Sequence, residues 1–287
     1  MWYNVRKAMS SAKHFRGRTA GKIIWRTKSD KALLLRRIGR MESVMRTIGV
    51  AIIFLFYTIA GIVLHPAMFI IGKCKGPEAK AKASQKLVAG VFKVFLFVSG
   101  VKIDVIGVER VPRDQASLFV FNHRGYFDIL LGYSTVPVPS AFVAKKEMEH
   151  TPVVARWMRY MHCLFLDREN MKEGMKTILE GVKLLKNGHS VFIAPEGTRN
   201  HGKELLPFKE GSFMMAEKAK SPIVPVAMNN TDDVLENHAP WIHKTHVVIE
   251  YCEPIYVAEL SKEEKKELSV KVRSIIASTL EKNAVEP

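Results

Sequence analysis

The sequence predicts an α/β fold: a mixed sheet flanked by helices, preceded by membrane-associated N-terminal helices. Three observations point there. Short β-branched or aromatic runs alternate with helical ones from Lys102 onward. The helical runs between them carry one-sided apolar stripes, as layers packed on a sheet require. Ahead of them, residues 47–72 form an uncharged apolar stretch of membrane length. With 287 residues, 47% of them apolar, the chain can bury one sizeable core and keep segments to spare. The division expected is a basic extension over 1–46, a membrane-associating helical segment over 47–101 and a catalytic domain over 102–287.

The formal net charge is +16, and much of it lies in the extension, where thirteen basic residues from Arg6 to Arg46 face only Asp30 and Glu42. Such a tract attracts nucleic acid or an anionic membrane surface, and the apolar stretch that follows decides for the membrane and against nucleic acid. As a straight helix, residues 47–72 reach ~39 Å at ~1.5 Å per residue. Gly61 and the His65-Pro66 pair interrupt that run, because proline breaks or kinks a helix. Lys73, Lys75, Lys80, Lys82 and Lys86 then match the basic tract before the run. Two basic flanks predict a hairpin dipping into the membrane, with both ends and the catalytic domain on the cytoplasmic side. The late start and the length argue against a cleavable signal peptide. Residues 87–101, with Lys93 near the middle, read as a surface-lying helix.

Within the domain the candidate strands are 103–106, 117–121, 141–144, 163–166, 191–194, 223–227 and 246–251. Between the fourth and fifth, Met171, Met175, Ile178, Leu179, Val182 and Leu185 make one helical face, and Gly188 follows its end. Ser261-Lys262-Glu263-Glu264 has capping-box spacing and opens a last helix striped by Leu268, Val272, Ile275, Ile276 and Leu280.

Several catalytic arrangements are missing: no Gly-x-Ser-x-Gly elbow, no phosphate-binding Gly-x-x-x-x-Gly-Lys-Ser/Thr loop, no Gly-x-Gly-x-x-Gly fingerprint. Cys74, Cys163 and Cys252 form no close pair and suit a reducing compartment without disulfides. His238, His243 and His246 have ligand-like separations, but Pro240 breaks any helix that would present them together, so no metal is expected. The strongest stretch is 117–128, SLFVFNHRGYFD. A buried-type strand ends at Phe121, Gly125 permits a turn, and a helix begins near Tyr126, so His123 and Asp128 bracket a strand-to-helix corner. There a carboxylate can fix one imidazole nitrogen while the other takes a proton from a hydroxyl. Spacing alone is not the evidence. His162 and Asp167 are equally far apart, but the strand between them should point them to opposite faces.

Asn122-His123-Arg124-Gly125-Tyr126-Phe127-Asp128 resembles the first signature block of the glycerolipid acyltransferases, the family of the 1-acylglycerol-3-phosphate acyltransferases. Phe165-Leu166-Asp167-Arg168 looks like the second block, Pro195-Glu196-Gly197-Thr198-Arg199 the third, and Ile223-Val224-Pro225-Val226 the fourth. Ala144-Lys145-Lys146-Glu147 and Pro207-Phe208-Lys209-Glu210-Gly211 also resemble family segments. The sequence departs from the family's habits at His162, often Gly, at Ala194, often Phe, and at Asn200, often Ser.

The resemblance implies direct acyl transfer. His123 is the general base and Asp128 its orienting partner. Glu196, Gly197, Thr198 and Arg199 belong to the acceptor site, with Arg199 facing a phosphate. Lys145 and Arg168 are secondary candidates for anionic groups of acceptor or donor. The expected acceptor is a lysophospholipid, above all lysophosphatidic acid acylated at its sn-2 hydroxyl, and the donor is acyl-CoA or acyl-carrier protein. No cofactor is expected beyond that donor, and the oxyanion is expected to rest on donors at the strand-to-helix corner.

Overall fold

The computed structural model describes residues 28–202 and 204–286, so most of the basic extension lies outside the described residues. The chain divides after Met45 into two units. Helix α1 (Lys28–Lys75) runs from the first into the second. In the first unit it exposes Arg36, Arg37 and Arg40 together with Leu33, Leu35 and Ile38.

The second unit opens with a helical hairpin whose turn is not where Pro66 suggested. Helix α1 continues unbroken through Pro66, and the chain reverses at Gly76, whose φ of 87° is left-handed, before α2 (Pro77–Val98). Packing around the proline supports the helical path there. His65 is buried with its ring 5.5 Å from Trp157 and 5.7 Å from Tyr160, and Met68 sulfur receives the Ser84 hydroxyl at 3.5 Å. The two helices run antiparallel, since Phe54 and Tyr57 meet Phe95 near one end and Gly72 meets Lys80 near the other. Nor does α2 lie merely on the surface. Phe95 and Leu96 are buried, and Gln85 bonds Val138 oxygen at 3.0 Å and Ser140 N–H at 2.8 Å.

Seven strands follow: β1 (Lys102–Ile106), β2 (Leu118–Phe121), β3 (Ser140–Lys145), β4 (Leu164–Leu166), β5 (Ser190–Ile193), β6 (Ile223–Asn229) and β7 (His246–Tyr251). All seven candidate strands are present, within a few residues at their ends. The spatial order is β1-β7-β6-β2-β5-β3-β4. Strands β6, β2, β5, β3 and β4 are mutually parallel, and the sheet becomes mixed where β7 joins β6 antiparallel.

Both faces are covered, by α3 (Tyr126–Thr135), α4 (Pro152–Tyr160), α5 (Met171–Lys186), α6 (Met214–Ala219), α7 (Lys262–Lys266) and α8 (Leu268–Lys282). The central strand β2 therefore needs apolar residues on both sides and has them in alternation. Leu118 and Val120 pack with Ile178 and Val182 of α5 and Val272 and Ile276 of α8. Phe119 and Phe121 pack with Leu96 of α2 and Phe127 and Leu131 of α3. On that second face Phe142 and Phe192 stack at 4.4 Å, as do Phe119 and Phe192. The predicted capping box is present, with Ser261 and Glu264 bonding reciprocally at the start of α7.

Candidate active site

Parallel neighbours β2 and β5 end at the same sheet edge, so the loops after them meet; the carboxyl edge of an open α/β sheet is where such folds hold ligands. His123 lies just beyond β2 and Glu196 just beyond β5. Across the gap Glu196 Oε1 accepts the His123 N–H at 3.2 Å, and His123 oxygen accepts the Asn200 N–H at 2.8 Å. Beneath them Asn122 locks β2 to β6, with its side chain donating to Met228 oxygen and accepting the Met228 N–H, both at 2.9 Å.

Gly125 is extended, φ −161°, so the corner does not draw on glycine's left-handed freedom; glycine is needed there because a Cβ would run into the Glu236 carboxylate. Helix α3 begins at Tyr126 with Asp128 in its first turn. Asp128 is fully buried. Its Oδ2 lies 2.7 Å from His123 Nδ1 and also accepts the N–H groups of Arg124 at 2.7 Å and Gly125 at 2.9 Å. A carboxylate oxygen with three donors can only accept, so the His123 proton sits on Nδ1 and Nε2 carries the free lone pair. The ring is partly exposed, with 19% of the side chain open, so that lone pair is within reach of a substrate. The control pair behaves otherwise. His162 and Asp167 fall at opposite ends of β4, and Asp167 pairs with Lys146 at 2.8 Å.

One expectation fails at this corner. The backbone N–H groups of His123, Arg124, Gly125 and Tyr126 all have acceptors already, in Glu196, Asp128, Asp128 and Glu236. Those amides build the corner and are not free for an oxyanion.

The acceptor-site candidates divide into two roles. Glu196 is buried, and its second oxygen accepts the Asn200 side chain at 2.7 Å and the Leu206 N–H at 2.9 Å. With both oxygens engaged, it positions His123 and the loop after β5. Gly197, Thr198 and Arg199 are open to solvent in varying degree. Gly197 has φ of 73°, a conformation that favours glycine, and a Cβ there would push aside the flexible end of Lys209, whose Nζ would stand 2.7 Å away. The Arg199 guanidinium lies over the Tyr126 ring at 4.6 Å. Lys145 pairs with Glu147 at 2.7 Å, and Arg168, exposed at the surface, has its pKa lowered by partial desolvation, with Glu147 opposing. Both follow the same edge, but at ~4.8 Å per strand β3 is roughly 10 Å and β4 roughly 15 Å from β2.

Sequence reasoning missed Glu236. It arrives from the connection between β6 and β7, and its Oε1 accepts the Tyr126 N–H at 2.7 Å and lies 4.0 Å from Arg199 Nη1. No motif surrounds it, so nothing short of the fold brings it to residue 126. Arg124 is tied down as well, by Gly202 oxygen at 2.6 Å and Asp232 at 3.7 Å. Among the described residues, Arg199 and Lys209 are cations beside the acceptor-side loop that remain open to solvent.

The family model described as Acyltransferase matches residues 102–229, which include the whole corner and the loop after β5. A 1-acyl-sn-glycerol-3-phosphate acyltransferase from Saccharomyces cerevisiae is 27% identical over 254 residues, covering 87% of this chain and 81% of its own length. The protein of the same name from Borreliella burgdorferi is 31% identical over 189 residues, covering 66% of this chain and 76% of its own. The one from Escherichia coli is 32% identical over 172 residues, covering 58% of this chain and 69% of its own. Among solved structures, the 1-acyl-sn-glycerophosphate (LPA) acyltransferase of Thermotoga maritima superimposes with a TM-score of 0.70 at 24% identity, over 86% of this chain and 99% of that one. That superposition speaks for the fold.

Proposed function

Given that this chain belongs to the glycerolipid acyltransferase family typified by the 1-acyl-sn-glycerol-3-phosphate acyltransferases, we propose that it acylates the sn-2 hydroxyl of lysophosphatidic acid at a membrane surface. The product is phosphatidic acid, and the role lies in phospholipid biosynthesis. The observation that carries the reading is the His123–Asp128 pair at 2.7 Å, with Nε2 left as a base.

In the proposed mechanism the acceptor hydroxyl gives its proton to His123 Nε2 as its oxygen attacks the thioester carbonyl, and buried Asp128 stabilises the imidazolium that forms. Collapse of the tetrahedral adduct expels the thiolate, which takes the proton back from His123. The acyl group passes directly from donor to acceptor, with no acyl-enzyme on a Ser or Cys. Because the corner amides are engaged, oxyanion stabilisation falls to groups outside it, and Lys209 beside Gly197 is a cation suited to that role.

Arg199 suits the acceptor phosphate, since its planar fork matches phosphate oxygens and its stacking on Tyr126 holds it in place. Gly197 and Thr198 line the approach, and Glu196 acts by holding His123. Lys145 and Arg168, at the far end of the same edge, suit the anionic groups of acyl-CoA or acyl-carrier protein. No cofactor beyond that donor is needed.

Membrane association supports the same reading. Helix α1 has a stretch of mean hydropathy 2.5, long and apolar enough to cross a membrane, and little of it is buried. A core helix would be covered, whereas Ile52, Leu55, Phe56, Ile59, Ile62 and Val63 are exposed. Between Thr47 and His65 the other side of α1 is fastened to the catalytic domain, by Thr47 Oγ1 accepting the Ile242 N–H at 2.9 Å and by Gly61 and His65 against Trp157. A helix held sideways in this way suits lying in one leaflet, with the catalytic domain on the cytoplasmic side. The experiment is acyl transfer by purified protein in detergent, with labelled acyl-CoA or acyl-carrier protein and a panel of lysolipids. Preference for an acceptor lacking a phosphate monoester overturns the acceptor assignment.

A further inference from the structure

At the opposite edge of the sheet from His123, three chain segments bring together a set of side chains that the acyl-transfer chemistry does not use. Glu78 is in the first turn of α2, just past the hairpin turn at Gly76; His162 precedes β4; His189 precedes β5. Among the described residues, each of these three offers one ligand atom, and the three atoms lie within 4.8 Å of one another. His189 Nδ1 is 3.2 Å from Glu78 Oε2, and His162 Nε2 is 4.0 Å from Glu78 Oε1. The two imidazole rings stand at 88°, with centroids 4.9 Å apart.

Two features mark this as more than incidental packing. His162 Nε2, the ring atom that faces Glu78, is buried without a hydrogen-bond partner among the described residues, and a buried polar atom left unpaired is costly. His162 also holds a left-handed backbone, φ 60°, which disfavours a side chain and which glycine adopts freely. Strain of this kind is kept where the side chain has a task.

We propose that Glu78, His162 and His189 bind a divalent transition-metal ion of the zinc class, which clamps the turn of the helical hairpin to the amino-terminal edge of the sheet. Two imidazoles and one carboxylate are a zinc-type donor set, too nitrogen-rich for magnesium or calcium. Tetrahedral zinc with bonds of about 2.0–2.1 Å places its ligand atoms about 3.4 Å apart. The Glu78 to His189 separation already meets that, and Glu78, the most exposed of the three at 57%, has the freedom to close on His162. The same exposure opens a path for the ion and a place for water as fourth ligand. Lys82 opposes the cation, and the Glu78 charge offsets it. The clamp joins membrane hairpin to catalytic unit and takes no part in proton transfer.

The test uses the full chain in detergent, free of any polyhistidine tag, stripped with chelator and titrated with Zn2+ by calorimetry and thermal melting. The wild type is expected to bind one ion per chain at micromolar affinity or better, with a rise in Tm. His162→Gly is the informative variant, because it removes a ligand and relaxes the backbone: it should fold at least as well without metal, bind zinc at least about tenfold more weakly and lose the Tm rise. Glu78→Gln should also weaken binding. The double variant His238→Ala/His243→Ala, which removes the stacked loop histidines, should bind as the wild type does. Absence of stoichiometric binding in the wild type, unchanged affinity in both His162→Gly and Glu78→Gln, or loss confined to the double variant overturns the proposal.

Discussion

Glu236 and Arg199 face each other at 4.0 Å beside the amino terminus of α3, and the same Glu236 oxygen holds the Tyr126 amide at 2.7 Å. A helix amino terminus and an arginine fork are the two features that suit a phosphate, and here a carboxylate stands between them. Burial pushes the Glu236 pKa up and the Asp128 charge adds to it, against the Tyr126 amide and Arg199. Its other oxygen has no partner.

Glu236→Gln therefore tests a carboxylate competing with substrate phosphate. Freed of that charge, Arg199 should take the acceptor more tightly, lowering the acceptor KM severalfold with little change in kcat. The stability signature has a definite sign. A carboxyl whose folded pKa is raised contributes stability that is fully present below the ordinary 4.5 and lost as pH rises through the raised value. The variant lacks that loss, so its Tm relative to wild type should climb from pH 4.5 toward neutrality. A Tm difference that stays flat across the range contradicts the raised pKa.

Arg199→Lys keeps the charge but not the planar fork or its stacking on Tyr126. If Arg199 binds the acceptor phosphate, acceptor affinity should fall by ~1.5–3 kcal/mol, the scale of a hydrogen bond to a charged group, while donor affinity barely moves. The check is paired acceptor and donor titrations on a folded variant. An unchanged acceptor curve removes Arg199 from that role.

Helix α1 is fastened to the catalytic unit from Thr47 to His65, so a crossing would drag the domain's flank into the bilayer. Single cysteines replacing Arg40 and Lys80, in a variant without Cys74, should both react with an impermeant thiol reagent from the cytoplasmic side of sealed vesicles. Opposite accessibility would mean a true span.

What was legible in the sequence is what rests on local rules. The central strands were readable because a strand buried on both faces must be apolar throughout, as β2 and β5 are, and edge strand β1, which is not buried, by its short β-branched run. The His123–Asp128 corner was readable because strand end and helix start adjoin in sequence, although Gly125 makes room for Glu236 and does not supply a left-handed turn. Pro66 misled, since its helix-breaking tendency was outweighed by tertiary contacts of His65 and Met68 that periodicity does not reveal. Glu196 read as an acceptor residue because its block does, but only the meeting of β2 and β5 shows both its oxygens already engaged. Glu236 and the Glu78–His162–His189 cluster were invisible for the same reason, with partners set by strand order across long separations.

The two histidine–aspartate spacings give the sharpest test of the catalytic assignment. In the first, Nδ1 and Oδ2 are 2.7 Å apart; in the second, β4 separates the residues and Asp167 turns to Lys146. His123→Ala should lower turnover by ~10²–10⁴-fold, the usual loss on removing a general base, while membrane association and lipid binding persist. Asp128→Asn should be severely impaired too. An amide can turn its NH2 toward Nδ1, which reverses the tautomer, and it cannot stabilise an imidazolium. It also replaces the oxygen that organises the Arg124 and Gly125 amides, so its melt must be measured alongside its rate. His162→Gly, which removes the imidazole without straining the backbone at φ 60°, should retain most activity. Initial transfer rates, binding and melts for the three variants separate catalysis from folding. A folded His123→Ala that stays active, or a folded His162→Gly that is dead, places the base elsewhere.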